Sequence, residues 1–322
     1  MFKRFLFAFA SFLLVGSISA QSNKLECIAP ANPGGGWDFT CRQVGKTMQD
    51  LKLVSGTVQV TNLAGGGGGV AFANVVNKRK DDNNLIIAAS SATATRLAQG
   101  AYPGNTKDQV RWLASVGADY GVIAVSDKSD IKDLNDFLTR LKSNPNSLPI
   151  GGGSAVGGWD HLKVLITAKK FGIDDIRKIK YVNFDGGADA ITQLLGGSVK
   201  GFTGDVSEAK GFIESGDIRV IAVLAPQRLE GEFAHMPTAK EQGVDVVGAN
   251  WRGFYGPGDM SDSAYNLWVD AIEKVYASKE WKQIMKANGL APLSLSGKEF
   301  ENFVSDSIDE ITGLSKQIGI IK

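Results

Sequence analysis

The stretch Pro33-Gly34-Gly35-Gly36-Trp37-Asp38 lies between a short apolar segment at 25–29 and a segment whose apolar residues recur at helical spacing. This pattern predicts a strand, a tight turn and the start of a helix. The start of a helix presents unpaired backbone N–H groups and the positive end of the helix dipole. The stretch therefore predicts a turn that can hold an anion.

Two further glycine runs occupy similar places in the pattern. The run Gly151 to Gly158 follows the apolar residues 148–150, and Gly65 to Gly69 follows the strand predicted at 58–60. Glycine occurs 39 times in 322 residues, well above the typical ~7%. Clusters between strands and helices indicate a close approach of the backbone to a ligand. For 65–69, plain turn geometry explains the glycines equally well.

The rest of the chain alternates short apolar runs with amphipathic stretches, which is typical of an α/β protein. Long apolar segments at 120–125 and 246–255 predict two crossings between domains. The predicted organisation is a discontinuous domain, 21–121 plus 250–322, and an inserted domain, 122–249. We expect a two-domain periplasmic-binding-protein fold of the type II kind, with two mixed sheets flanked by helices and a ligand cleft between them.

The N-terminus reads as a signal peptide. Lys3 and Arg4 precede the apolar run 5–15, and the small residues 17–20 predict cleavage after Ala20. An uncleaved anchor is the alternative, but the run is shorter than the ~20 residues that a membrane span needs. Export implies the periplasm. A net charge of +1 gives no reason to expect nucleic-acid or membrane-surface binding.

Cys27 and Cys41 are the two cysteines of the chain, and they flank the first glycine turn. In an oxidising compartment an isolated pair predicts a disulfide. Two free, buried thiols are the alternative.

Motifs of nucleotide-binding proteins fit poorly. Gly45-Lys46-Thr47 resembles the end of a phosphate loop, but position 40 is a threonine where that loop needs glycine. Gly66, Gly68 and Ala71 have a dinucleotide-like spacing, yet the strand that follows ends in two serines rather than in an acidic residue. The sequence predicts no nucleotide cofactor.

Catalytic constellations are also scarce. His161 and His235 are the two histidines, which argues against a metal site built on several histidines. Ser154 lies in a glycine-rich turn, but the nucleophile-elbow pattern needs glycine at 156, where valine stands. We therefore expect a protein that is not an enzyme and that has no metal site.

Several side chains near the predicted cleft fit either a ligand-binding role or a structural role. Asp38 most simply stabilises a helix start, and Asp205 either meets a ligand hydroxyl or caps the next helix. Arginines can pair with a carboxylate ligand or be solvated or interdomain, and tryptophans can wall a cleft or belong to the core. The residues concerned are Arg42, Arg96 and Arg252, and Trp37 and Trp159.

In combination, five segments resemble the receptors of tripartite tricarboxylate transporters, the TctC-like branch of the Bug-type periplasmic solute-binding proteins. The resemblance covers essentially the whole chain after residue 20. The segments are 27–38 with Cys41-Arg42, 62–68, 151–158 with His161-Leu162, 236–243 and 251–257. Asp185 departs from the pattern, because much of the wider group has lysine there.

The resemblance implies a monomeric receptor that closes on a small di- or tricarboxylate, with citrate as the first guess, and delivers it to one large and one small membrane subunit. It implies that the two facing turns grip carboxylates mainly through backbone N–H groups, hydroxyls and water. Carried over to this chain, the predicted ligand-binding residues are Gly34, Gly35, Gly36, Trp37, Gly65, Gly66, Ser90, Ser91, Gly153, Ser154, Ala155 and Asp205. The alternatives are a sensory module for a membrane kinase and a nucleotide- or ester-dependent α/β enzyme.

Overall fold

The computed structural model describes residues 24–322, so the predicted signal peptide at 1–20 lies outside the described residues. Within 24–322 the chain forms nine strands and ten α-helices. The strands are β1 Leu25–Ala29, β2 Val58–Asn62, β3 Leu85–Ser90, β4 Val110–Ser126, β5 Ile150–Gly152, β6 Tyr181–Asn183, β7 Gly201–Asp205, β8 Ile218–Val223 and β9 Ala249–Pro257. The helices are α1 Gly36–Asp50, α2 Gly69–Lys78, α3 Ser91–Ala98, α4 Leu134–Ser143, α5 Trp159–Lys170, α6 Gly187–Leu195, α7 Val206–Glu214, α8 Asp262–Ala277, α9 Lys279–Ala287 and α10 Gly297–Gln317.

The strands form two groups that share β4. The first strand group has the order β2-β1-β3-β9-β4, in which β1 is parallel to β2 and β3 while β9 is antiparallel to β3 and β4. In the second strand group β4 pairs with β7 and β8, and β5 is parallel to β6 and β7. Both groups are mixed and helices flank them, which confirms the predicted fold class.

Strand β4 joins the groups and is longer than the sequence predicts. Its residues 110–120 pair with β9, and residues 121–126 pair with β7 and β8. The predicted strand at 120–125 is only its second half. Register shifts occur near Ala114 and Gly117, and such irregularities break the alternation that identifies a strand in a sequence. The return crossing occurs at Gly248, which bonds to Leu224 and Gly121 just before β9 begins.

The core explains why the C-terminal helices belong with the first strand group. All six residues of β3 are buried, as expected for a strand between two neighbours. Trp268 and Ile272 of α8 join the cluster that contains Met48 of α1, and Phe300 of α10 packs edge-on against Trp251. These contacts use the apolar helical faces that the sequence predicts. None of the helices within 24–322 combines the length and apolar composition needed to cross a membrane.

The strand ends place the glycine turns together. Strands β1 and β3 end at Ala29 and Ser90, and β5 and β7 end at Gly152 and Asp205. Each of these ends leads through a turn, or directly, into a helix. In α/β sheets, ligands bind at the carboxyl ends of such strands.

Candidate functional site

The first glycine turn leads from β1 into α1, which begins at Gly36. Gly34 has a φ of +85°, a left-handed conformation that glycine adopts without strain. Its N–H donates to Asp38 Oδ2 at 3.0 Å, and Asp38 also pairs with Arg42 at 2.9 Å. Asp38 thus lies at the start of α1, as the sequence predicts, and its carboxylate bonds to groups of the protein.

The N–H groups of Gly35 and Gly36 also have partners in the protein. Gly35 donates to the carbonyl oxygen of Asn32 at 3.2 Å. Gly36 donates to Glu208 Oε1 at 2.7 Å, although Glu208 lies on α7 beside the second strand group. A Cβ at Gly36 would lie 2.4 Å from Arg252 Nη1, so this position has no room for a side chain. The start of α1 therefore holds a carboxyl group of the chain itself.

Cys27 and Cys41 are joined by a disulfide, with their Cα atoms 5.7 Å apart. The bond connects β1 to α1 on either side of the first glycine turn. The bond stabilises this part of the fold, because the closed loop has fewer conformations in the unfolded chain.

The second glycine turn, 151–158, is held by side chains of its own strand group. The N–H of Asp160 donates to Ser154 Oγ at 3.0 Å, and the Tyr181 hydroxyl donates to the Ser154 carbonyl oxygen at 2.7 Å. The N–H of Gly157 donates to Nδ1 of His161 at 3.0 Å, and the His161 ring stacks on Tyr181.

Burial lowers the pKa of His161 to about 4, so its ring is neutral at neutral pH with the proton on Nε2. His161 is therefore a support of the turn. Its Nδ1 is bonded to the backbone and not to Ser154, so the geometry supplies no Ser-His pair.

The run 65–69 forms a third turn that faces the second. The Tyr102 hydroxyl donates to the carbonyl oxygen of Gly67 at 2.6 Å. A Cβ on Gly67 would lie 3.1 Å from the Cβ of Ala155, which shows how closely the two turns approach.

Between these turns lies a narrow, partly open cavity of about 70 Å³, which we call the glycine cavity. Six of the predicted site residues line it, and Arg96 and Gly67 are further members of its wall. The lining residues are Pro30, Trp37, Gly65, Gly66, Gly67, Ala92, Arg96, Gly153, Ser154, Ala155, Gly158, Asn183, Phe184 and Asp185. Trp37 is thus a wall of the cavity, whereas Trp159 packs against the hydrophobic core.

The other predicted site residues lie outside this lining, and their polar groups bond to the protein. Ser90 Oγ accepts from the Trp37 indole and from the N–H of Ala92, both at 3.1 Å. Ser91 Oγ donates to the carbonyl oxygen of Ala249 and accepts from the N–H of Trp251. These serines orient the cavity wall and join α3 to β9.

Asp205, the last of the predicted set, belongs to a buried ionic network. Its Oδ1 is 2.7 Å from Lys163 Nζ, and its Oδ2 is 2.8 Å from Arg252 Nη2. Asp160 pairs with Lys163 at 2.9 Å, and Asp119 pairs with Arg252 at 2.8 Å.

Four carboxyl groups face two cations in this network once Glu208 is included. Burial alone would raise the pKa of Asp205, but Lys163 and Arg252 outweigh burial and lower it. Burial raises the pKa of Asp119 to about 6. Burial, reinforced by the charges of Asp205 and Asp160, raises the pKa of Glu208 to about 8.

Sequence reasoning missed Lys163, Asp160, Asp119 and Glu208 as parts of this network. One signal was available in the sequence. Lys163 lies among the apolar residues of α5, three residues after Asp160, a spacing that places the two side chains close together on a helix. Charged residues are mostly exposed, so a lysine in that place reads as solvated unless its partners are known.

The three candidate arginines differ in their partners. Arg42 pairs with Asp38, and Arg252 pairs with Asp119 and Asp205. Arg96 forms no ion pair with any residue of 24–322. It is the arginine that lines the glycine cavity.

Contacts across the cleft hold the cavity closed. Arg96 Nη1 donates to the carbonyl oxygen of Val156 at 3.1 Å, and Gln99 Nε2 donates to that of Gly157 at 2.6 Å. On the other side, the backbone N–H of Asn32 donates to the carbonyl oxygen of Asp185 at 2.9 Å. These three hydrogen bonds join the two strand groups on both sides of the glycine cavity.

A larger groove of about 530 Å³ lies elsewhere, between Tyr120, the 226–230 segment and α9. It is open and mainly apolar, and no glycine turn reaches it. Within 24–322 no three His, Cys, Asp or Glu side chains cluster in a way that could hold a metal ion.

Two mixed strand groups that share a long strand and enclose a cavity at the carboxyl ends of their strands define an α/β periplasmic binding protein fold. The chain belongs to the TctC family: the family model described as "Tripartite tricarboxylate transporter family receptor" matches residues 40–320. The resemblance inferred from the sequence motifs is thus confirmed.

Individual proteins agree with this assignment. Protein BugT of Bordetella pertussis (strain Tohama I) is 24% identical over 311 residues, covering 95% of this chain and 92% of BugT. The solved periplasmic binding protein BugD has a TM-score of 0.82 at 19% identity, covering 93% of this chain and 98% of BugD. MatC (Rpa3494) of Rhodopseudomonas palustris, solved with bound malate, has a TM-score of 0.79 at 17% identity, covering 90% of this chain and 98% of MatC. At such identities the structural similarities establish the fold.

Proposed function

We propose that this chain is a periplasmic solute receptor that binds a small di- or tricarboxylate in the glycine cavity and delivers it to a tripartite tricarboxylate transporter. The observation that carries the proposal is the glycine cavity, whose wall combines glycine backbone with one arginine that has no acidic partner among residues 24–322. Membership of the TctC family supports it. So does malate in the related MatC structure.

Binding is proposed to occur by closure of two hinged domains, 21–121 plus 250–322 and 122–249. The crossings at β4 and at Gly248 would be the hinge, since they are the covalent links between the strand groups. The bonds from Arg96, Gln99 and Asn32 across the cleft would form on closure. In this proposal the ligand meets Trp37, 65–67 and 153–155 directly, whereas Gly34, Gly35, Gly36, Ser90, Ser91 and Asp205 position those residues.

Titration calorimetry with citrate, isocitrate, tricarballylate, malate and succinate tests the proposal, with a neutral polyol of similar size as the control. We expect saturable heat with at least one acid, a rise in the melting temperature in its presence and no heat with the polyol. Binding that stabilises the native state must raise the midpoint of unfolding. Absence of heat with every carboxylate would refute carboxylate binding.

The proposal also includes export and a membrane partner. We expect residues 1–20 to be removed during export, and N-terminal sequencing of the secreted protein tests cleavage after Ala20. Affinity capture of the carboxylate-bound receptor from membranes should retain the large and small transporter subunits. Capture of a membrane kinase instead would favour the sensory alternative.

The chain is proposed to have no catalytic activity. The neutral His161 bonded to the backbone, and the Ser154 hydroxyl that accepts from Asp160, support this part of the proposal. Turnover of an activated ester or a nucleotide that is lost in Ser154→Ala would contradict it.

A further inference from the structure

Arg96 lies in the last turn of α3 with its guanidinium at the wall of the glycine cavity. Its Nη1 donates to Val156 at 3.1 Å and contacts Gln99 Oε1 at 3.4 Å. Its Nε is buried and has no hydrogen-bond partner among residues 24–322. The group thus keeps an unused donor that carries positive charge.

No acidic side chain of the cavity wall offsets this charge. Asp185 is the one carboxylate among the lining residues, and it is exposed and forms no ion pair with Arg96 within the described chain. Burial lowers the pKa of the Arg96 guanidinium, which means that the site disfavours the charged form. An arginine nevertheless stays protonated in a protein, so an uncompensated guanidinium carries a desolvation cost that a bound anion can offset.

A neighbouring residue separates the role of charge from that of closure. Gln99 makes the same kind of contact as Arg96, to the carbonyl oxygen of the next residue of the second turn. Gln99 is uncharged and does not line the cavity. Closure alone would therefore give the two residues similar importance, and charge would distinguish them.

We infer that Arg96 makes this receptor selective for carboxylates: its guanidinium, which lines the glycine cavity and forms no ion pair with any residue of 24–322, pairs with one carboxylate of the bound solute. The inference rests on the proposed function and identifies the residue that recognises the ligand's charge. The guanidinium fork suits planar, bidentate recognition of a carboxylate. A solute with the same shape but an amide in place of this carboxylate would leave the positive charge unpaired.

The experiment compares Arg96→Gln, Arg96→Lys and Gln99→Ala with the wild type. Each protein is titrated with malate, succinate and citrate and with the fully amidated form of each acid, followed by calorimetry and by intrinsic tryptophan fluorescence, to which Trp37 in the cavity wall contributes. Circular dichroism and thermal melting establish that each variant is folded.

For an acid that the wild type binds, we expect Arg96→Gln to raise the Kd about 10- to 100-fold, the range for a lost charge-assisted hydrogen bond. The difference between acid and amide should shrink by a similar factor. Arg96→Lys should recover part of it, since the charge remains without the fork. Gln99→Ala should weaken acid and amide alike, by less than about fivefold.

The inference is overturned if Arg96→Gln binds the acid as the wild type does. It is also overturned if Arg96→Gln and Gln99→Ala weaken acid and amide to the same extent, because that is the signature of closure alone. Failure of the proposed function gives a different result, since the wild type itself would bind none of the three acids.

Discussion

The glycine cavity and the buried ionic network differ in whether their charged side chains are paired. Within the described part of the chain, Arg96 in the cavity wall has no acidic partner, while the network holds four carboxyl groups against Lys163 and Arg252. The network contains its own counter-charges and protons, so it needs no ligand. The cavity has one charge left over. The difference distinguishes an arginine that lines a cavity from one whose charge is paired within the fold.

The contrast also separates two helix starts. Glu208 accepts from Gly36 at the start of α1 and from the N–H of Asp205 at the start of α7. Both helix dipoles thus favour the same carboxyl group. An anion that bound to the N–H of Gly36 at the start of α1 would therefore have to displace Glu208.

The largest expected effect comes from breaking the network at Arg252. Arg252→Met should lower the free energy of unfolding by about 3–5 kcal/mol, because it leaves Asp119 and part of the charge of Asp205 buried and unpaired. Urea unfolding followed by circular dichroism measures the loss.

Arg228→Met is the matched control, since it removes an arginine that also pairs with a carboxylate, Glu241, while both side chains of that pair are nearly half exposed, at 47% and 45%. Its loss should stay below about 1 kcal/mol. Equal losses in the two variants would show that burial of the network does not increase the cost of removing its arginine.

A second test asks whether the cavity tolerates a single methyl group. Gly67→Ala should weaken carboxylate binding by about tenfold or more, because the new Cβ would lie 3.1 Å from Ala155 and 3.5 Å from Arg96 Nε. The added methyl group would push the two turns apart, and a cost of roughly 1.4 kcal/mol for this movement corresponds to a tenfold rise in Kd. Titration with the best-bound acid measures the change.

Gly100→Ala provides the control for backbone strain. Gly67 and Gly100 have φ values of +62° and +61°, but a Cβ on Gly100 would meet nothing within 4 Å. Both variants should lose about 1–2 kcal/mol of stability from the left-handed conformation. Unchanged affinity in Gly67→Ala would remove the third turn from the site.

The smallest expected effect is a pH dependence that originates in Glu208. Its pKa is raised from 4.5 to about 8, so the folded protein keeps a proton that the unfolded chain has released. The free energy of unfolding should therefore fall as the pH rises through this window. His161, with its pKa lowered to about 4, has the opposite slope below pH 6.5, which makes pH 6.5–8 the informative range.

In that range the wild type should lose about 1 kcal/mol, and Glu208→Gln should remove most of the slope. Glu208→Gln keeps an oxygen that can accept from Gly36. Glu214→Gln changes an acid at the exposed end of the same helix and should leave the slope as it is. A slope that persists in Glu208→Gln would assign the proton to another group facing it, such as Asp160, whose pKa burial also raises.

Much of the fold follows from local pattern. The apolar run of β3 and the helical spacing of α1 predict those elements, because a strand between two neighbours and a helix with one buried face leave clear periodicities. The first half of β4 does not follow. Its bulges and the buried Asp119 break the alternation, and the pairing partner β9 lies more than 100 residues away.

The candidate site also has features that the sequence predicts and features that it does not. The glycine turns were predictable because a tight strand-to-helix turn demands residues without side chains. The partners of their N–H groups were not, since the contact between Gly36 and Glu208 spans 172 residues. The resemblance to the family suggested ligand contacts at Ser90, Ser91 and Asp205. Local pattern allowed a helix cap at Asp205, which is the N-cap residue of α7, but it did not indicate the pairing with Lys163 and Arg252.

By itself, the sequence determined the α/β class, the turns at 33–38, 65–69 and 151–158 and the family, since these depend on local spacing and on short motifs. Only the tertiary structure decided which charges remain without partners. That property depends on groups brought together from distant strands and helices, where burial makes each missing or surplus charge costly. It distinguishes Arg96, which faces the cavity, from Arg252, which the fold uses.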